Sequence, residues 1–128
     1  MAVIELVRND NRPKVTIALR DRNNNDEPLN LVGATVSMLF REKGSTTLKA
    51  TVAGTLLPGR LLDDGTIDAD SPYDVAGYGG RVEFAWGATD LDTAGNFEAE
   101  FQVTFADSGK ATTYKKQSFK VRADFDDA

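Results

Sequence analysis

Carboxylates are the side chains here best able to do chemistry, because the sequence holds no histidine and no cysteine. Without histidine, the usual general base near neutral pH and the commonest metal ligand are both missing. Without cysteine there is no thiolate nucleophile, zinc–thiolate site or disulfide framework. Glu83, Asp90 and Asp92 could supply the acid pair of a glycoside hydrolase, but such a pair works only at a set separation across the sugar. Asp90-Leu91-Asp92-Thr93 reads instead as a turn, with Asp90 capping free backbone donors. Neither an enzyme nor a cofactor is expected.

The stretch nearest to a hard-cation loop is Asp63-Asp64-Gly65-Thr66-Ile67-Asp68-Ala69-Asp70. Calcium takes several carboxylate and carbonyl oxygens from flexible backbone. This spacing does not match an EF-hand, which needs glycine at loop position six and a distal glutamate, so turn formation is the expectation and no metal is assigned. Trp86, Tyr73 and Tyr78 could stack on a sugar. Trp86 is in phase with Val82 and Phe84 and is expected in the core, which leaves Tyr73 and Tyr78 as the surface aromatics.

A formal net charge of −5 argues against nucleic acid as the partner, since phosphate binding needs a positive surface. Lys115, Lys116, Lys120 and Arg122 cluster locally and read as a solvated strand face. Glu5 interrupts the apolar start Met1–Val7, so no signal peptide is expected. No run approaches the roughly 18 apolar residues of a membrane span. The expected product is soluble, made in the cytoplasm, and able to leave the cell inside a particle.

The elements that must hold these side chains show a period of two. Val15, Ile17 and Leu19 alternate with polar or small residues, as do Val36, Met38 and Phe40, with Leu39 the apolar exception. Leu48, Ala50 and Val52 repeat the pattern, followed by Val82, Phe84 and Trp86 and by the long run Phe97, Ala99, Phe101, Val103 and Phe105. Such alternation turns one strand face to a core and the other to water. The polar loop Asp21–Pro28 and the turns Glu42–Ser45 and Asp107–Gly109 punctuate the strands. With 128 residues, 41% hydrophobic and 27% charged, the chain fits one all-β domain, an antiparallel β-sandwich of about seven to nine strands. Residues 1–12 would be an extension or an edge strand, and residues 123–128 an acidic tail. Near the end, Phe119 and Val121 share a phase that sends Tyr114 to the opposite face. Either a bulge within Lys115–Ser118 inserts a residue, which is the expectation, or Tyr114 lies on the outer face.

Residues 54–80 form a long excursion rich in glycine, proline and aspartate, with room for one or two short strands. Its apolar residues Leu56, Leu57, Leu61, Leu62, Tyr73 and Tyr78 are the candidate interface. The competing expectation is that the leucine pairs form short strands that cover an open sheet edge.

Several segments in this frame resemble a known family. Leu31-Val32-Gly33-Ala34-Thr35-Val36 with Phe40-Arg41, Gly80-Arg81-Val82-Glu83-Phe84-Ala85-Trp86, and Asp90-Leu91 through Gly95-Asn96-Phe97-Glu98-Ala99-Glu100-Phe101 are its carriers. In order and spacing they resemble the immunoglobulin-like N-terminal domain of phage baseplate upper proteins, from about Val15 to Val121 with Gly54–Gly79 unmatched. The resemblance implies an immunoglobulin-like sandwich in a virion, bound to other virion proteins and to copies of itself, with no catalytic residues. Family members usually continue into fibre or receptor-binding regions; the sequence stopping after this domain leaves room for a connector or head-decoration role. A carbohydrate- or host-surface-binding module is the alternative.

Overall fold

In β10 (Gly95–Thr104) the alternation becomes structure: Phe97, Ala99, Phe101 and Val103 are all buried. The computed structural model describes residues 3–12, 14–21, 27–112 and 116–123. Around β10 lie β1 (Ile4–Val7), β2 (Val15–Ala18), β5 (Thr35–Glu42), β6 (Ala50–Leu56), β9 (Arg81–Phe84), β11 (Lys110–Thr112) and β12 (Gln117–Arg122). Together these eight strands make one sheet in the order β1-β12-β10-β5-β6-β9-β2, with β11 also paired to β10. Two ribbons stand apart from it: β3 (Arg20–Asp21) with β4 (Glu27–Pro28), and β7 (Arg60–Leu61) with β8 (Ile67–Asp68).

The sheet curls. Phe84 on β9 and Phe101 on β10 are three strand spacings apart along the sheet, about 14 Å if it were flat. Their ring centroids are 5.4 Å apart. The turn is made within β6, whose residues Ala50–Ala53 pair with β5 while Gly54–Leu56 pair with β9. Gly54 sits at that switch, where a Cβ would come 2.5 Å from Val82 Cγ1 and 2.8 Å from Phe84 Cε1. Only glycine allows so close an approach.

One core fills the curl. Phe40 stacks on Phe97 at 4.9 Å, and Trp86 meets Phe40 and Phe119 edge-on at 5.0 and 5.7 Å. Trp86 is 6% exposed and belongs to this cluster with Phe84, Phe101 and Val103.

The structure corrects three local expectations. The sheet is mixed rather than antiparallel, because β1 runs parallel to β12. A parallel neighbour cannot be joined by a hairpin, and the first and last strands have no need of one. Leu48 leaves the core phase and is 46% exposed, since β6 begins only at Ala50 after a turn in which the Ser45 hydroxyl accepts from the Thr47 amide. Glu98, expected to face water, is buried beneath Arg41 and Lys116. At the end of the chain, β10 pairs with β11 as far as Gln102↔Thr112 and with β12 from Ala99↔Gln117. The bulge expected within Lys115–Ser118 falls partly outside the described residues. Tyr114 and Lys115 lie outside the described residues, as does the tail from residue 124. The ends of the expected polar loop pair as β3 and β4, and residues 22–26 between them are also outside the described set.

Candidate functional site

The excursion organises itself around Arg60. Its partner across the ribbon is Asp68, and the guanidinium Nε donates to Asp68 Oδ2 at 3.0 Å. The same guanidinium lies over the Tyr73 ring, 4.4 Å from its centroid, and Nη1 reaches the Tyr73 hydroxyl at 3.4 Å. Tyr73 in turn meets Tyr78 edge-on at 5.6 Å. Direct partners on a ribbon share a face and neighbours alternate, so Arg60 and Asp68 occupy one face while Leu61 and Ile67 occupy the other.

Backbone bonds fasten this unit to the sheet. The Leu57 amide donates to Arg81 O, the Gly77 amide to Leu57 O, the Gly59 amide to Tyr73 O, and the Leu31 amide to Gly77 O. The two ends of the excursion touch: a Cβ on Gly79 would lie 2.3 Å from the carbonyl oxygen of Gly59. Arg81 Nη1 closes the same corner on Pro58 O at 2.7 Å.

The acids expected to serve a turn do so. Asp64 Oδ1 accepts from the Thr66 hydroxyl at 2.6 Å and the Thr66 amide at 3.0 Å, and these bonds hold its carboxyl below the usual carboxylate range. The Asp70 amide and then Arg60 do the same for Asp68. Among the described residues no three histidine, cysteine or acidic side chains gather into a group able to hold a metal ion. Each acid of the imagined pair has a partner of its own. Glu83 pairs with Lys14, Asp92 with Lys49, and Asp90 accepts from the Gly87 amide at 2.7 Å as a turn cap.

The six candidate interface residues divide by exposure. Leu56, Leu57, Leu62, Tyr73 and Tyr78 are half-buried, and Leu56 packs on the core. Leu61 is 37% exposed and stands beside Ile67 at 44%, while Val75 in the following turn is 47% exposed. Ile67 and Val75 were not among the candidates. Reflecting the chain about the Asp-Asp-Gly turn would have placed Ile67 opposite Leu61; Val75 carries no comparable signal. Beside the ribbon, Arg20 donates to Leu61 O at 2.9 Å, and a polar groove of about 670 Å³ runs between Arg20, Glu27, Arg60 and Asp63.

Neither a family model nor a curated protein matches this chain. The surface must therefore be read from its own chemistry: aliphatic side chains held outward on a small, internally braced ribbon. Among the described residues, no helix is long and apolar enough to cross a membrane.

Proposed function

We propose that this chain is a non-enzymatic structural protein of a bacteriophage virion, an immunoglobulin-like sandwich that works by being built into an assembly. Its place would be in the tail or baseplate, a connector, or the head decoration, among other virion proteins and copies of itself. The observation that carries the reading is the exposure of Leu61 and Ile67 side by side on a ribbon braced by Arg60. A two-stranded ribbon is not stable alone, and this one is braced by Arg60, Asp68 and Tyr73. Aliphatic groups presented on a fixed base suit a protein partner, which buries them.

Two further observations support the reading. The segments that resemble the baseplate family coincide with β5, β9 and β10, the strands that build the core. The rings of Tyr73 and Tyr78 are engaged with each other and with Arg60, so this surface offers aliphatic groups in preference to the flat faces on which a sugar stacks.

Mass spectrometry of gradient-purified particles, from a lysing culture that carries the gene, tests the assignment. Recovery of the chain at a fixed ratio to the major structural proteins is expected. Its absence from particles, with the chain present in the lysate, contradicts the reading.

A further inference from the structure

The segment from Val3 to Asp10 docks almost wholly on the other end of the chain. β1 pairs with β12 through Ile4↔Phe119 to Val7↔Arg122. Beyond the strand, the Arg8 amide donates to Arg122 O and the Asn9 amide to Leu91 O. Leu6 is buried and Ile4 packs on the core. Yet the next strand in sequence, β2, lies at the opposite edge of the sheet. The connection between them opens on a tight turn, in which the Asp10 amide donates to Val7 O and Asn9 holds a left-handed φ of 68°. Asp10, Asn11, Arg12 and Lys14 after it are all exposed.

We propose that β1 is an exchangeable strand: it leaves its own β12 and completes the sheet of a second copy, whose β1 does the same in return. The geometry makes that exchange nearly symmetric in its bonds. The β1–β12 ladder and the bonds to Arg122 and Leu91 are all remade on the second copy. The bond from Asp10 to Val7 is internal to the connection and is given up when the turn opens, which also releases Asn9 from its left-handed conformation. Short turns in uncommon backbone conformations favour exchange of this kind, and reciprocal exchange closes as a two-fold dimer. The inference concerns the β1–β12 edge and does not rest on the function proposed for the β7–β8 ribbon.

The absence of cysteine gives a clean test in the full 128-residue chain. Glu5 and Lys120 are exposed partners in the β1–β12 register, close enough for a disulfide between adjacent strands. The E5C/K120C variant is prepared with natural nitrogen and with nitrogen-15, and the two forms are mixed, unfolded and refolded together at high concentration. They are then linked by oxidation and, in parallel, by a short bismaleimide that tolerates imperfect alignment. Exchange predicts a covalent species of doubled mass, in which peptides containing positions 5 and 120 are joined between light and heavy chains. It also predicts that the unlinked natural chain dimerises under the same refolding. Links between 5 and 120 confined to chains of one label, or a natural chain that stays monomeric after refolding at high concentration, overturn the proposal.

Discussion

The guanidinium of Arg60 lies 4.4 Å above the centre of the Tyr73 ring. Such a contact contributes about 0.5–2 kcal/mol, and here the same cation also pairs with Asp68. Arg60→Met keeps much of the side-chain stem and removes the charge, so it should loosen the excursion and leave the core alone. Hydrogen exchange should quicken at the amides of Gly59 and Gly77, with protection across the β5–β10 ladder unchanged. Equal loss in both places would mean that the excursion is part of one cooperative core.

Trp86 packs edge-on against both Phe40 and Phe119. Trp86→Ala is expected to destabilise the chain by about 3–5 kcal/mol, as large aromatic deletions in packed cores do. Denaturant unfolding measures the change. Acrylamide should quench the native fluorescence poorly; efficient quenching would contradict the burial.

Gly54 gives a test of the curl. Gly54→Ala sets a methyl against Val82, Phe84 and the carbonyl of Val36, and should destabilise by about 1–3 kcal/mol. In a double-mutant cycle Val82→Ala should relieve part of that loss, because the two changes share one space. Simple additivity would place the residues apart.

Glu98 predicts the acid response. The Arg41 guanidinium, closest of its partners, and then Lys116 hold its carboxyl below the ordinary value of 4.5. A depressed carboxylate stabilises the fold fully above that ordinary value and loses the contribution as pH falls through the lower, folded-state value. The melting temperature of Glu98→Gln should therefore lie below that of the natural chain at pH 7, with the gap closing in acid. A gap that is constant with pH would show that the charge plays no part.

The β10 alternation, the buried Trp86 and the Asp90 cap were all legible in the sequence, because each follows from local pattern or local bonding. Leu48 was misplaced because alternation says nothing of where a strand begins; the Ser45–Thr47 turn decides that. Burial of Glu98 needs Arg41 from β5 and Lys116 from the approach to β12, a meeting that only the strand order reveals. Ile67 escaped notice for a related reason. It stands alone among polar residues, and its partner Leu61 is supplied by the hairpin.

Association through the β7–β8 ribbon is the central claim, and it is tested most directly by binding. The natural chain, L61S/I67S and L48S are each co-expressed with the products of the genes that flank its own, and the complexes are isolated and weighed by native mass spectrometry. Leu48 is the control, an exposed leucine at 46% on the outer sheet face near Leu39. The account predicts a complex with the natural chain and with L48S, and at least a tenfold loss of binding for L61S/I67S, about 1.4 kcal/mol or more, with its melting temperature unchanged. Undiminished binding by L61S/I67S, or equal loss in L48S, would contradict it.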